Sequence, residues 1–436
     1  MEPVTLGYIS VGVLILLLFS GLHIGIVMSL IGILGILYLA GWDAALGILN
    51  CVPYSTWASF DLCMVPLFIL MGEFCFQGNL SKDLFSSAYK FLGSLKGGLA
   101  MATIGACALF AAVSGSSVAT AATMATVVLP EMKKYNYDDS LSTGTLAAGG
   151  TLGILIPPSI YLVIYGMITQ QSIGKLFLAG FIPGVLQALM FIAAIAILCY
   201  RNPRMGPAGP AVSWWEKIKS LKNIWIVVLL FLLIIGGINL GWFSPNEGAG
   251  IGAMGAFLFA LARRKMSWQA FKNSLTETIK TTGMVFFIFL GAMILGYFFA
   301  MTRLPNELSN TVASLHISRY LVWAVIVLVY LFLGCVMDSM AMVLLTVPIL
   351  YPLMCGAGGL GFNPIWFGIM IVIVVEMGLI TPPVGINVFV IKGMAPDVPT
   401  YTIFKGIVPF LMMDILEIII LTVLPGIVTF LPNILK

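Results

Sequence analysis

Two short polar segments interrupt long apolar stretches of this chain, and their residues have the chemistry to bind a small cation. The first is Ser114-Gly115-Ser116-Ser117, and the second is Met337-Asp338-Ser339. Hydroxyl, carbonyl and carboxylate oxygens are hard ligands, and at membrane depth they suit a monovalent cation such as Na⁺. A carboxylate at this depth is expensive and usually functional. Asp338 is therefore a candidate cation ligand, although it could instead cap a helix N-terminus.

Each polar segment is followed by another apolar stretch, which contains glycines and a proline pair. These stretches span residues 149–159 and 376–387. Proline lacks the N–H that a helix needs and clashes with the preceding turn, so each stretch is predicted to be a broken helix. Unpaired backbone inside a membrane is tolerated only where it lines a cavity or a binding site. Two breaks at corresponding positions of two halves are typical of a secondary transporter's binding site.

Each polar segment and the break that follows it form one predicted cation site. The first site comprises Ser114, Gly115, Ser116, Ser117, Gly150, Gly153 and Pro157. The second site comprises Met337, Asp338, Ser339, Gly378 and Thr381. Half-helix N-termini carry partial positive charge and free N–H groups, so Ser117 and Ser339 could also face an anionic substrate.

Two further residues are candidates for contact with a carboxylate substrate. Arg303 follows a predicted span on its outer side and could bind a carboxylate bidentately, or it could snorkel to lipid headgroups. Asn387 follows the second proline pair and could orient the substrate or satisfy backbone groups that the break leaves free.

Four acids within apolar stretches have open roles. Glu73 and Glu376 could carry protons or be paired structurally. Asp414 and Glu417 are spaced i,i+3 on one face of the last span and could contact another subunit.

The composition of the chain is that of a polytopic helical membrane protein. Of its 436 residues, 60% are hydrophobic and 9% are charged, whereas a soluble domain carries roughly 25% charged residues. We expect the lipid bilayer, and no nucleic acid, as a partner. The seven cysteines lie singly in apolar segments, and His23 and His316 are far apart, so no metal site other than one for Na⁺ is expected.

Apolar spans of about 20 residues can be placed along the whole chain. Residues 97–129 contain two short apolar halves around the first polar segment, which favours a re-entrant hairpin over two complete helices with an external turn. Residues 140–169 and 363–391 are the broken spans. Residues 267–279 are predicted as a surface helix separate from the span at 281–301, and the last span covers residues 401–431.

The second half of the chain repeats the order of the first. Placing Pro130 on Pro352 requires nearly the same shift along the chain as placing Pro157-Pro158 on Pro382-Pro383. Two anchors with nearly equal shifts indicate an internal duplication. Each half contains five predicted spans and one hairpin, so the second half is predicted to be inverted in the membrane.

The basic residues orient the chain. Only Lys175, Arg303, Arg319 and Lys436, four of the 21 basic residues, lie at one predicted end of the spans. By the positive-inside rule the other end is cytoplasmic. Both termini are then periplasmic, and residues 4 onward form a first span and not a signal peptide. The first hairpin enters from the cytoplasm and the second from outside.

The sequence contains no GxSxG elbow, no HExxH motif and no Walker A motif. An enzyme is therefore not expected, and an ATP-driven pump is excluded for this chain alone. A channel remains an alternative, although paired helix breaks favour occluded sites over an open pore.

Both polar segments, the run Gly153–Ser159 and the run Gly378–Asn387 together resemble the large membrane (M) subunit of tripartite ATP-independent periplasmic (TRAP) transporters. The resemblance covers essentially the whole chain. It implies an all-α, elevator-type fold of the ion-transporter superfamily in the bacterial inner membrane. It also implies Na⁺-coupled uptake of an organic acid, such as a sialic acid or a C4-dicarboxylate, delivered by a periplasmic substrate-binding P subunit. A small four-helix membrane Q subunit is expected as a separate chain.

By this resemblance the family's sodium sites fall on the two predicted cation sites, and a functional arginine falls on Arg303. A stand-alone Na⁺/carboxylate symporter of the same superfamily is the alternative. The implied regions, in chain order, are scaffold spans with an arm helix (1–96), the first hairpin and broken span of the transport domain (97–200), a cytoplasmic linker (201–222), scaffold spans with arm helices (223–317), and the second hairpin and broken span with the last span (318–436).

Overall fold

The computed structural model describes residues 2–315, 317–334, 337–356 and 359–435, and these residues form α-helices with no β-strand. His316, Cys335 and Lys436 lie outside the described residues. A helix satisfies its backbone hydrogen bonds internally, which a chain this apolar requires inside a bilayer. The predicted all-α class is confirmed.

The helices are numbered in chain order over the described residues. Those of the first half are α1 (Pro3–Phe19), α2 (Ile24–Ala40), α3 (Trp42–Trp57), α4 (Met64–Gln77), α5 (Leu80–Leu92), α6 (Gly98–Ser114), α7 (Ser117–Lys134), α8 (Asp139–Leu155), α9 (Ile160–Thr169) and α10 (Ile173–Arg201). Those of the second half are α11 (Trp214–Asn239), α12 (Pro245–Ala262), α13 (Trp268–Thr302), α14 (Leu304–Ser314), α15 (Arg319–Gly334), α16 (Ser339–Cys355), α17 (Pro364–Gly378), α18 (Ile386–Met394), α19 (Thr400–Val423) and α20 (Gly426–Ile434).

Several described helices are long and apolar enough to cross a bilayer. They include α10, α13 and α19, and α4 together with the 3₁₀ turn Phe60–Cys63 that precedes it. The pair α8 and α9 meets the same test as one broken span, bent by 41° between the two helices. The chain is therefore a multi-pass membrane protein.

Three predicted boundaries are wrong. The surface helix 267–279 and the span 281–301 form one continuous helix, α13, because no proline interrupts the chain between its ends. Helix α11 begins at Trp214, so the end of the predicted linker 201–222 is helical. The last span 401–431 is divided near Pro425, where proline cannot continue the hydrogen bonding of α19, and α20 follows as a separate helix.

Helix α8 lies at the centre of one group of packed helices. It contacts α6, α7, α10, α17, α18 and α19. The backbones of Gly144 in α8 and Gly406 in α19 touch directly, which brings these two helices unusually close. A second group contains α2, α4, α12 and α13, with α2 packed along α13. The first broken span is thus enclosed by protein on several sides.

An ion pair links the two halves of the chain at the last turn of α7. Lys133 Nζ lies 2.5 Å from Asp397 Oδ2, in the turn after α18. The hydrogen bond from Lys133 holds the pKa of the Asp397 carboxyl below its ordinary value. Both side chains are exposed, so the pair contributes little to stability.

Candidate ion and substrate site

The first polar segment forms a buried turn between α6 and α7. Ser114 and Ser117 are 8% and 2% exposed. Ser116 is the N-cap of α7, where its hydroxyl accepts a hydrogen bond from Ala119 N at 3.3 Å. Thr120 Oγ1 donates to the Ser116 carbonyl at 2.7 Å. This burial favours the hairpin interpretation, because an external turn would be exposed.

The break between α8 and α9 packs directly on that turn. A Cβ atom on Gly153 would lie 2.6 Å from the Ser116 carbonyl oxygen, so only glycine permits this approach. A Cβ atom on Gly150 would lie 3.1 Å from the Ser117 carbonyl oxygen. The structure therefore brings most of the predicted first site together. Pro157 instead packs beside Gly180 of α10.

The second polar segment joins α15 to α16. Asp338 is the N-cap of α16, and its Oδ2 accepts a hydrogen bond from Met340 N at 3.0 Å. Asp338 therefore does cap a helix, a role that the sequence left open. The residues on either side of it, Met337 and Ser339, are buried. Ser339 Oγ has no hydrogen-bond partner within the described ranges.

The second break lies against the end of α15. A Cβ atom on Gly334 would lie 2.7 Å from the Cα atom of Gly378, so the two helices meet backbone to backbone. Thr381 Oγ1 donates to the Met377 carbonyl at 2.6 Å, which leaves its oxygen lone pairs available to a cation. Residues 382–384 are exposed, whereas residues 156–159 of the first break are buried. The second break therefore faces open space.

Each predicted cation site is contacted by a residue from the other half of the chain, and we call these the crossed contacts. Asn387 of α18 is fully buried, and its Nδ2 donates to Ser117 Oγ at 2.7 Å and to the Ala147 carbonyl at 3.2 Å. Tyr161 of α9 lies beside Ser339 and Asp338. The second half of each broken span thus contacts the polar turn in the other half of the chain.

Sequence reasoning missed Tyr161, although the repeat contained a signal for it. The shift that places Pro157 on Pro382 also places Tyr161 on Ile386, directly beside Asn387. A tyrosine in an apolar helix usually indicates packing, so its residue type alone gave no reason to select it.

Arg303 lies elsewhere in the structure. It has a left-handed conformation (φ 57°) at the corner between α13 and α14, and its side chain is exposed. The adjacent Thr302 and Leu304 pack against Gly7 of α1. Glu73 is partly buried in α4, with Glu277 of α13 nearby.

The donor set at the two turns fits a hard monovalent cation. It consists of hydroxyl and carbonyl oxygens, with one carboxylate at the second turn and none at the first. Among the residues that the structure describes, no group of three or more His, Cys, Asp or Glu residues could hold a metal ion. The two turns therefore differ by one acidic group.

A multi-pass helical protein with two helix breaks, each packed on a polar turn, belongs to the class of membrane transport permeases. Residues 11–427 match the model of the family "Tripartite ATP-independent periplasmic transporter, DctM component". The chain belongs to this family, the large permease subunits of TRAP transporters, and it is a transport permease and not an enzyme.

Relatives with assigned substrates are similar over most of the chain. The C4-dicarboxylate TRAP transporter large permease protein DctM of Pseudomonas aeruginosa is 36% identical, covering 87% of this chain and 88% of that protein. The sialic acid TRAP transporter large permease protein SiaM of Vibrio cholerae is 32% identical, covering 86% and 87%. The fold also resembles the crystal structure of the YdaH transporter of Alcanivorax borkumensis, with a TM-score of 0.61 and 14% identity over 88% of this chain and 89% of that one.

Proposed function

We propose that this protein carries out Na⁺-coupled secondary active uptake of an organic acid delivered by a periplasmic substrate-binding protein. The observation that supports this most strongly is the pairing of each polar turn with a helix break, which supplies cation ligands at two places in one chain. The substrate class, a C4-dicarboxylate or a sialic acid, is inferred from the relatives. The membrane is the bacterial inner membrane, with both termini periplasmic.

The proposed movement is of the elevator type. The two turn-and-break pairs belong to the moving transport domain (97–200 and 318–436), and residues 1–96 and 223–317 form the scaffold, with the small Q subunit attached. Bound Na⁺ offsets the negative charge of the carboxylate, so the loaded domain moves with a smaller desolvation cost than either ion alone. Ser117 and Ser339 at the half-helix N-termini face the anion, Asn387 fixes the first turn, and Arg303 on the outer side attracts the carboxylate.

Uptake into proteoliposomes tests the proposal. The chain is reconstituted with its Q subunit, and a binding protein loaded with a labelled C4-dicarboxylate or sialic acid is added outside. Uptake is expected only when an inward Na⁺ gradient and the binding protein are both present. Uptake without a Na⁺ gradient would contradict the coupling. Uptake that is the same with and without the binding protein would indicate the stand-alone symporter. Flux that does not saturate with substrate concentration would indicate a channel.

A further inference from the structure

Three acids and one amide lie together in the interior, where Glu376 comes close to Ile154 at the end of α8. Asp414 and Glu417 of α19 are 1% and 0% exposed, Glu376 of α17 is 0% exposed, and Gln187 of α10 is 1% exposed. Glu376 lies close enough to interact with the other three. Asp414 and Glu417 therefore do not contact another subunit, which the sequence had left open.

The hydrogen bonding of this group is incomplete. Gln187 Nε2 donates to Asp414 Oδ1 at 2.9 Å. Six oxygens have no hydrogen-bond partner among the described residues: Gln187 Oε1, Glu376 Oε1 and Oε2, Asp414 Oδ2, and Glu417 Oε1 and Oε2. A buried polar oxygen without a donor is costly, and an unpaired buried carboxylate is more costly still. Within the described residues, these six oxygens therefore have no hydrogen-bond donor.

The surrounding helices do not supply a positive charge. Lys175 and Arg201 lie at the two ends of α10, and Lys405 lies near the beginning of α19. Lys392 in the last turn of α18 donates to the carbonyl oxygens of Pro396 and Val398. Helices α8 and α17 contribute no basic side chain, and the titratable group that faces Asp414 and Glu417 from α17 is Glu376. No group of three acids in the described residues suits a metal ion. A proton is the ligand that neutralises a buried carboxylate without needing further protein ligands.

The orientation of Gln187 leads to the same conclusion. The oxygen and nitrogen of an amide are assigned from their hydrogen bonds, so the two atoms can exchange places by a rotation of the amide group. In the present orientation the unpaired Oε1 needs a donor, and its neighbours are acids. In the rotated orientation Oε1 faces Asp414. In either case the amide oxygen is satisfied once one of the acids carries a proton.

We propose that Asp414, Glu417 and Gln187 form a proton-binding site in the interior of the α8, α10, α17 and α19 group, with no residue in common with the two cation sites, and that uptake responds to pH through it. A proton from the aqueous phase binds a carboxylate oxygen, and the resulting O–H donates to a neighbouring oxygen. Proton binding is a property of the structure alone, whereas the response of uptake to pH rests on the proposed function.

Infrared titration of the reconstituted protein tests proton binding directly. The absorption of protonated carboxyl groups is followed while the pH of the medium is raised across the range in which the protein stays folded. The parent is expected to lose a protonated-carboxyl absorption band of which the double variant Asp414→Asn, Glu417→Gln lacks a part from the start, because Glu376 is the acid of the group that this variant retains. The control Glu277→Gln, an exposed acid of α13, retains the band. The same band in the parent and the double variant would overturn the proposal.

Two further measurements keep the test decisive. If the double variant does not fold, the single variant Glu417→Gln is expected to lose part of the band, and an unchanged band would again overturn the proposal. A band that shifts with Na⁺ at constant pH, and only in the parent, would show a bound cation in place of the proton. Uptake in the double variant is expected to lose its response to pH. If no variant and no parent takes up any carboxylate, the proposed function fails, while the infrared result still decides the proton site.

Discussion

At the scale of single residues, Ser116 and Asp338 occupy equivalent places in the two halves. Each is the N-cap of the second helix of its pair, α7 or α16, and their separation along the chain equals that of Pro130 and Pro352. A hydroxyl caps the first helix and a carboxylate caps the second. A cation bound at the second turn would therefore meet an acidic group that is missing at the first.

The substitution Asp338→Asn separates the capping role from the cation-binding role. Asparagine caps a helix as well as aspartate does, so the free energy of unfolding is expected to change by less than about 1 kcal/mol. Loss of a charged ligand worth about 1.5–3 kcal/mol raises the Na⁺ concentration for half-maximal uptake by about tenfold or more. Uptake against Na⁺ concentration and thermal unfolding in detergent measure the two effects.

Asp138→Asn is the matched control for this change. Asp138 caps α8 by accepting hydrogen bonds from Ser140 N at 2.9 Å and Leu141 N at 3.3 Å, away from both turns. Its Na⁺ dependence is expected to equal that of the parent. Parental Na⁺ activation in Asp338→Asn would remove Asp338 from the cation site.

At the scale of helices, the breaks meet the turns through glycine. Gly153 lets α8 approach the Ser116 carbonyl, and the contact of Gly334 with Gly378 does the same for α15 and α17. Side chains at these positions would hold the helices apart and move the freed carbonyls away from the hydroxyls. Both predicted cation sites thus depend on glycine packing more than on the conformational freedom of glycine.

The substitution Gly153→Ala is expected to destabilise the protein by about 1–3 kcal/mol, because its methyl group would lie 2.6 Å from a backbone oxygen. The thermal unfolding temperature should fall and Na⁺ activation should weaken. Gly236→Ala in α11 is the matched control, since no heavy atom lies within 4 Å of the added carbon. Alanine there is expected to stabilise the helix by about 0.5–1 kcal/mol. Equal effects of the two substitutions would show that the close contact at Gly153 is unimportant.

At the scale of the whole molecule, the charge distribution predicts the orientation in the membrane. The exposed segment around Ala208 and the basic residues beside it are predicted to be cytoplasmic, and the C-terminal helix α20 is predicted to end in the periplasm. This orientation decides which turn is reached from which side, and therefore where a binding protein could deliver substrate.

Labelling with a membrane-impermeant thiol reagent tests this orientation. Asn433→Cys is expected to be labelled in spheroplasts, and Ala208→Cys only after the membrane is permeabilised, because both positions are exposed on opposite predicted sides. The exposed native residues Cys51 and Cys63 are first replaced by serine to remove background. The reverse pattern of labelling would invert the predicted topology.

The parts of the fold that sequence reasoning predicted are those with local causes. The two proline pairs interrupt their helices where they stand, and hydroxyl clusters are conspicuous in an apolar chain, so both turns and both breaks were placed correctly. The continuity of α13 was missed because amphipathic and apolar stretches can share one helix. The spacing of Asp414 and Glu417 showed that they share a face, but a sequence does not show that this face meets Gln187 and Glu376.

The crossed contacts have a consequence for genetics. Since Asn387 donates to Ser117 and Tyr161 lies beside Ser339, each polar turn is contacted by a residue from the other half of the chain. Loss of function caused by a substitution at Ser117 is then expected to be suppressed by second-site substitutions at or near Asn387, 270 positions away in the sequence. Neither half could have diverged freely from the other, because a change in one turn is compensated only by a change in the opposite half.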